Sequence, residues 1–115
     1  NSWADRLVIA KEQETYRLIE EAAGATSRIS PCYAGQLIGI LSETGEVYVC
    51  ETLDKSMGNV RDFNCDFARL WSACQAEEAR SYQQELGCQC TYECAMSVNT
   101  LFNPRRAARI LWNSF

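Results

Sequence analysis

Histidine is absent from this chain of 115 residues, so no imidazole can serve as a base or as a metal ligand. No apolar run approaches the ~18 residues that a membrane-crossing helix needs. Charged residues also interrupt the N-terminal stretch, so no signal peptide is predicted there. Lysine and arginine are fewer than aspartate and glutamate, and the formal net charge is −4. This excess of negative charge argues against nucleic acid binding.

The length is that of one domain, and the composition is that of a folded protein. With 47% hydrophobic and 23% charged residues, the chain has enough apolar surface to form a core, so disorder is not expected. The sequence does not begin with Met, and we expect it to be a piece of a larger protein.

Cysteine is abundant, and five of the seven cysteines fall into two groups. Cys32 and Cys50 form the first group, and Cys88, Cys90 and Cys94 form the second. Thiolate ligands select iron–sulfur clusters and zinc over hard cations. A disulfide-rich secreted domain is an alternative, but the odd number of thiols and the near-adjacent pair in the second group favour a metal cage.

Composition alone does not choose the metal, because a [4Fe–4S] cluster and a four-cysteine zinc site each need four thiolates. Small zinc modules usually bind through two short Cys-x2-4-Cys knuckles. Cys32 and Cys50 are separated by seventeen residues instead, which favours a larger inorganic group. A structural interaction module with a four-cysteine zinc site and no redox role stays open as the alternative.

A β-hairpin is predicted to join the first two cysteines. Two β-prone runs, at 36–41 and 46–50, flank a Ser-Glu-Thr-Gly turn in which Gly45 supplies the positive φ. This arrangement places Cys50 at the open end of the hairpin, from which Cys32 enters.

Helices are predicted for most of the remaining chain. A capping box of Ser2 with Asp5 opens the first helix, and Gly24 ends it. A second capping box, of Ser72 with Gln75, opens a later helix. The charged residues of that later helix, Arg80 among them, should face solvent. Gly87 should end that later helix. The predicted helices cover residues 2–25, 66–71, 74–86 and the segment from Pro104, with a loop over 51–64 that contains a tight turn at 57–59.

The predicted fold class is therefore a small α/β (α+β) domain. It combines a helix, a β-hairpin and two or three further helices around one cysteine-ligated cluster. Residues 1–29 are predicted to be a helical connector, and residues 30–115 to be the cluster domain.

The segments that carry the cysteines resemble the SPASM/twitch domain of radical S-adenosylmethionine (SAM) enzymes. The likeness covers roughly residues 30–104 and includes the Cys-x12-Gly-x4-Cys step. The residues that carry it are Cys-Tyr-Ala-Gly at 32–35, Gly45 with Cys50, Gly-Asn-Val at 58–60, Leu-Trp at 70–71 and Cys-Gln-Cys-Thr-Tyr-Glu-Cys at 88–94.

This resemblance implies an auxiliary domain that binds a [4Fe–4S] cluster beside a partial TIM barrel. In the family, the barrel holds the SAM-binding cluster on a Cys-x3-Cys-x2-Cys loop, and that loop is absent from these 115 residues. The implied function is electron relay or substrate-side support in a cytoplasmic radical SAM enzyme that modifies a peptide or protein. S-adenosylmethionine is expected only in the barrel, no catalytic residue is expected here, and neither nucleic acid nor membrane is an expected partner.

The resemblance also implies the cluster ligands. Cys32 and Cys50 match the hairpin ligands of the family, and Cys94 matches the last cysteine of its downstream run. The fourth ligand is Cys90 or Cys88, and the spacing to Cys94 favours Cys90. Because the fuller Cys-x2-Cys-x5-Cys-x3-Cys run is incomplete and no cysteine follows Cys94, only one cluster is expected.

Several residues outside this ligand set also carry expectations. Cys65 and Cys74 are predicted to be small buried side chains, whereas Glu51, Tyr92 and Glu93 lie next to predicted ligands and could influence the cluster. In the last helix, three arginines should form a solvated or partner-facing stripe, and three apolar residues should pack on the core; these are Arg105, Arg106 and Arg109, and Leu111, Trp112 and Phe115.

Overall fold

A computed structural model describes residues 2–88 and 90–115 of the chain. Asn1, at the start of the predicted connector, and Gln89, inside the predicted cysteine cluster, lie outside the described residues. The fold is α+β, as predicted. Its elements in chain order are α1 (Trp3–Ala23), β1 (Ile40–Leu41), β2 (Glu46–Tyr48), β3 (Ser56–Asn59), a 3-10 helix (Val60–Phe63), α2 (Phe67–Trp71), α3 (Cys74–Leu86), α4 (Glu93–Leu101) and α5 (Pro104–Ser114).

The chain divides into two compact units. The helical unit comprises Asn1–Cys32 and Cys88–Phe115, and the strand unit comprises Tyr33–Gly87. Helix α1, which covers most of the predicted connector, packs against α4 and α5 within the helical unit. Among the described residues, no helix combines the length and the apolar character that crossing a membrane requires.

Local signals set the ends of the helices. The predicted capping box at α1 is confirmed: the Ser2 N–H donates to Asp5 Oδ2 at 2.8 Å, and the Asp5 N–H donates to Ser2 Oγ at 3.2 Å. Gly24 ends the same helix. Pro104 is the first residue of α5, where its missing N–H costs no helical hydrogen bond. The side-chain oxygen of Asn103, which precedes it, accepts from the N–H groups of Arg105 and Arg106.

An ion network joins α1 to α5 inside the helical unit. The carboxylate of Glu14 is only 2% exposed, and it accepts from Arg106 Nη1 at 3.0 Å and from Arg109 Nη1 at 2.9 Å. Arg17 Nη1 also donates to the Glu14 carboxylate, at 2.9 Å. The predicted solvated arginine stripe is therefore wrong for Arg106, which is 9% exposed. A buried carboxylate needs such partners because an unpaired buried charge is costly.

The apolar residues at the end of α5 lie in solvent, contrary to prediction. Leu111, Trp112 and Phe115 are 55%, 84% and 84% exposed. Arg106, Ile110 and Ser114 take the buried positions of α5, so Trp112 lies on another side of the helix. Phe115 follows the last residue of the helix. Leu111 still borders an apolar groove of about 350 Å³ that Leu7, Val8, Lys11, Leu101, Ala107 and Ile110 also line.

A three-stranded antiparallel sheet in the order β1-β2-β3 forms the strand unit's centre. The predicted hairpin exists, but its first strand is shorter than 36–41, because residues 35–37 form a turn in which the Gln36 and Leu37 N–H groups donate to the Tyr33 carbonyl at 3.0 and 2.9 Å. The predicted loop over 51–64 is also wrong. Its second half forms β3, in which Gly58 pairs with Val47, followed by the 3-10 helix.

Helix α3 has the predicted bounds but a different cap. Ser72 ends α2, and Ala73 precedes α3 without a side-chain hydrogen bond, so the predicted capping box of Ser72 with Gln75 is wrong. Gly87 ends α3 in the left-handed conformation with φ +62°, as expected of a C-terminal glycine. Helix α3 packs on β3 around a fully buried core of Val47, Val49, Met57, Leu70, Ala76 and Ala79.

Replacing Arg106 by Ala should destabilise the protein, because it removes one of the charges that compensate buried Glu14. Arg17 and Arg109 still contact Glu14, so we expect a loss of about 2 kcal/mol, below the range for a completely unpaired buried charge. Urea unfolding followed by circular dichroism measures the change. Exposed Arg105 provides the control, and Arg105→Ala should leave stability within about 0.5 kcal/mol. Equal effects of the two substitutions would contradict this account.

Candidate metal centre

The predicted ligands lie on both units. Cys32, Cys88, Cys90 and Cys94 belong to the helical unit, whereas Cys50 belongs to the strand unit. None of the seven cysteines, all within the described part of the chain, forms a disulfide. Of the five predicted ligands, Cys94 is exposed and the other four are half-buried, so none is enclosed in the core.

Cys50 lies two residues beyond the end of β2 and borders an open hollow. Its sulfur is 3.2 Å from the Thr52 hydroxyl oxygen. The hollow measures about 390 Å³ and is lined by Ile40, Tyr48, Cys50, Glu51, Thr52, Leu53 and Asp54. The strand unit therefore offers space beside the Cys50 thiol, and Glu51, a predicted neighbour of the cluster, borders that space.

Gly45 is required by the turn that leads into β2. Its φ is +89°, a conformation that residues with a side chain rarely adopt. A β-carbon at this position would also lie 2.8 Å from Asn59 Oδ1, and the Gly45 carbonyl accepts from the Val60 N–H at 2.9 Å. The glycine of the Gly45-x4-Cys50 step and the 58–60 segment are thus in direct contact.

The Asn59 side chain locks this turn. Its amide nitrogen donates to the Thr44 carbonyl at 3.1 Å and to Glu46 Oε2 at 3.1 Å, and its oxygen accepts from the Arg61 N–H at 3.0 Å. Ser56 donates its hydroxyl to the same Glu46 carboxylate. A single side chain therefore satisfies polar groups of the turn, of β2 and of the 3-10 helix.

Gly35 has a similar role in the turn that follows Cys32. Its φ is +83°, and a β-carbon would lie 2.9 Å from Val49 Cγ1. The Gly35 carbonyl accepts from Arg80 Nε at 2.6 Å. The segment after Cys32 thus lies against the residue that precedes Cys50.

Trp71 and Leu70 complete these contacts. A β-carbon on Gly39 would lie 2.8 Å from the Trp71 ring, and one on Gly58 would lie 3.6 Å from Leu70. We call the residues in these close contacts the turn cluster: Gly35, Gly39, Gly45, Val49, Asn59 and Trp71. Of the residues that carry the family likeness in the strand unit, Gly35, Gly45, Asn59 and Trp71 are members of this cluster.

Arg80 is the residue that sequence analysis missed. The sequence predicts that it faces solvent on α3, yet its side chain is only 13% exposed. Its guanidinium donates to the Gly35 and Trp71 carbonyls, pairs with Glu77 at 3.1 Å and lies 4.9 Å from the Trp71 ring centroid. Its pairing with Glu77 is local and typical of an exposed helix face, whereas the partners that bury it are the backbone carbonyls of Gly35 and Trp71, which no side-chain pattern marks.

Cys90 contacts both polar and apolar groups of the helical unit. Its sulfur accepts a hydrogen bond from the Tyr92 N–H at 3.2 Å. It also packs against the core cluster of Leu18, Ala22 and Met96. Tyr92, predicted as a neighbour of the cluster, therefore contacts a predicted ligand through its backbone.

Cys94 lies in the first turn of α4, beside Glu93. Negative groups are favoured at a helix N-terminus because the first backbone N–H groups carry partial positive charge. The Glu93 carboxylate accepts from the Tyr16 hydroxyl at 3.3 Å. Its charge and this hydrogen bond raise the pKa of Tyr16, since an ionised phenol would face the Glu93 carboxylate.

Cys65 and Cys74 are exposed, so the prediction that they are buried is wrong. Cys74 opens α3, and Cys65 follows Asn64 in the link between the 3-10 helix and α2. Asn64 and Cys65 both have positive φ, at 55° and 60°. Their surroundings give neither thiol the apolar enclosure that a small buried residue would have.

The donor type fits a thiophilic group, whereas the side chains are not drawn together. Among residues 2–88 and 90–115, no three cysteine, aspartate or glutamate side chains are gathered closely enough to hold a metal ion. Only Cys94 of the Cys90–Cys94 pair lies in α4, so the two do not share a helical turn. Movement of the thiols would therefore have to accompany metal binding, as is common when ligand sites form on binding.

No protein-family model matches the chain, and comparison with curated proteins and with solved structures also finds no match. The likeness to the SPASM/twitch domain therefore rests on the residues of this sequence.

Gly45→Ala should destabilise the strand unit, because the new β-carbon would meet Asn59 and the backbone would be strained at φ +89°. We expect a loss of about 2 kcal/mol in the free energy of unfolding. Gly24→Ala is the matched control, because Gly24 has φ −92° and its nearest contacts would be at 3.9 Å. If thermal and urea unfolding show that both alanines are equally tolerated, the proposed role of Gly45 is wrong.

Proposed function

We propose that this chain is the auxiliary [4Fe–4S] domain of a radical SAM enzyme. The observation that carries the proposal is the turn cluster, in which residues from separate parts of the family-like pattern contact one another. Gly45 meets Asn59, and Gly35, three residues after Cys32, meets Val49, which precedes Cys50. These contacts give the glycines and Asn59 of the pattern a common structural role in the strand unit.

The proposed ligands are Cys32, Cys50, Cys90 and Cys94, with Cys88 as the alternative fourth ligand. The N–H to sulfur contact from Tyr92 supports Cys90, because such hydrogen bonds stabilise negative charge on a ligand sulfur. A [4Fe–4S] cluster supplies one-electron transfer when bound. Full ligation by four thiolates would suit electron relay or a structural role.

The chain's own residues would contribute binding and positioning. The turn cluster holds the hairpin, Tyr92 donates to the Cys90 sulfur, and the helix end beside Cys94 favours a negative ligand group. We assign the reaction itself to the barrel domain, which would bind S-adenosylmethionine.

The proposed partners and compartment follow from the same assignment. The partner is the radical SAM barrel of the full-length polypeptide, and the substrate class is a peptide or protein. We place the protein in the cytoplasm, where reducing conditions keep thiols available for metal. The net charge of −4 supports a function without nucleic acid.

Anaerobic reconstitution with iron and sulfide tests this function. We expect about four irons per chain with broad visible absorbance, because four thiolates complete one [4Fe–4S] cluster. Cys50→Ser and Cys94→Ser should abolish this loading, and exposed Cys65→Ser and Cys74→Ser are matched controls that should retain it. Comparing Cys88→Ser with Cys90→Ser identifies the fourth ligand.

Other metal contents would decide against the cluster. One zinc per chain that resists iron reconstitution would support the structural zinc module instead. Iron loading that survives Cys50→Ser and Cys94→Ser together would overturn the proposed ligand set.

A further inference from the structure

We infer that the exposed side of α5 is a contact surface for a second copy of this chain, with the two α5 helices paired antiparallel. This surface, which we call the α5 stripe, consists of Arg105, Ala108, Trp112 and Phe115. All four residues are exposed, and the two aromatic members are each 84% exposed. The opposite side of α5 packs within the helical unit, so the stripe is the side that another molecule can reach.

The spacing along the α5 stripe is the same in both directions. Its members follow one another at intervals of three, four and three residues, which places them on one side of the helix. An antiparallel copy therefore brings Ala108 opposite Trp112 and Arg105 opposite Phe115, and each of these contacts occurs twice. A two-fold axis perpendicular to the helices generates this arrangement, and two-fold symmetry is the commonest symmetry of homo-oligomers.

The shape of the stripe favours the same pairing. An open hollow of about 710 Å³ is lined by Ala108, Leu111, Trp112 and Phe115. Ala108 is the smallest of these residues and Trp112 the largest, and a large side chain opposite a small one lets two surfaces interdigitate. A parallel pair would instead bring the two Trp112 rings together and leave a gap between the two Ala108 residues.

Charge also selects the antiparallel pair. Arg105 is the only charged residue of the stripe. In the antiparallel pair it lies beside the C-terminal end of the other α5, where backbone carbonyls carry partial negative charge and the last turn has no basic residue. There its guanidinium can also stack on the ring of Phe115. A parallel pair would bring the two Arg105 side chains together, and like charges repel.

The area of the surface sets the strength of the association. Two aromatic side chains that are mostly exposed contribute on the order of 300 Å² per copy when they become buried. The apolar groove beside Leu111 is continuous with the stripe and adds to this area. The sum stays below the ~800 Å² per partner of a stable interface, so we expect a weak dimer with a dissociation constant on the order of 100 μM.

Sedimentation equilibrium of the 115-residue chain tests the association. Reducing conditions exclude disulfides between copies, and the concentrations span about tenfold on either side of the expected dissociation constant. The average mass should rise from 13.0 kDa towards twice that value. A monomer at every concentration would overturn the proposal, and binding of that monomer to vesicles of anionic phospholipid would assign the stripe to a lipid surface instead.

Trp112→Ser identifies the surface that associates. It should weaken the dimer at least about tenfold, because buried aromatic residues dominate the binding energy of interfaces. Its far-ultraviolet circular dichroism should equal that of wild type, since the replaced side chain is exposed. Leu41→Ser is the matched control, because Leu41 is an exposed apolar residue of β1 in the strand unit, and it should dimerise as wild type does. A dimer that survives Trp112→Ser would show that the copies meet elsewhere.

A mixture of two variants tests the antiparallel register. Ala108→Glu places a carboxylate opposite Trp112, and Trp112→Lys places an ammonium group opposite Ala108, so each variant alone should be monomeric where wild type dimerises. In an equimolar mixture the two introduced charges face each other at one contact, while Ala108 meets Trp112 at the other. Dimers should therefore return, and native mass spectrometry should identify them as heterodimers. A mixture that stays monomeric would refute the antiparallel pairing.

Discussion

Absent β-carbons are the constraint on which the strand unit depends. At Gly35, Gly39 and Gly45, any side chain would place its first carbon within 3 Å of a neighbouring atom, well inside normal contact distance. Two of these glycines also have positive φ, so both space and backbone conformation select glycine. Three small residues thereby bring two turns and an indole ring together around a short sheet.

Helix ends in this protein could be predicted because their causes are local. Ser2 and Asp5 exchange hydrogen bonds within one turn, and Gly87 and Asn103 stop and start helices through their own backbone or side chain. The exception is Ser72, whose sequence fits a capping box, although the end of α2 uses it instead. The end of α2 and the start of α3 are only a few residues apart, so a capping pattern at Ser72 does not show which helix the residue belongs to.

Long-range contacts account for most of what the sequence did not predict. Arg106 and Arg80 look like surface residues in their helices, yet each compensates polar groups far away in sequence, Glu14 in one case and the Gly35 carbonyl in the other. Strand β3 has the same origin, since Gly58 is a turn signal by composition, whereas in the structure it pairs with Val47 of the hairpin. Whether these arginines and this glycine are buried depends on the distant residues that they contact, and the topology of the fold decides which residues those are.

The candidate site shows the same division between donor identity and donor placement. The sequence shows that thiolates are the donors and that the cysteines fall into two groups. It also shows that either Cys88 or Cys90 could be the fourth ligand. The positions of the sulfur atoms depend on how the hairpin end and the α3–α4 link are held, which no spacing rule specifies. Exposed Cys65 and Cys74 make the point again, since their neighbours decide their burial.

The discontinuity of the helical unit has a consequence for biosynthesis. Its first part, Asn1–Cys32, leaves the ribosome long before Cys88–Phe115, whereas Tyr33–Gly87 is one uninterrupted stretch. Glu14 therefore has no Arg106 to pair with until the segment that carries α5 has been synthesised. Contacts between such distant segments form late and slowly. Until then α1 itself offers Arg17 as a partner for Glu14. The charges of this pair lie on the helix that later packs on α5, and they oppose premature association of that helix.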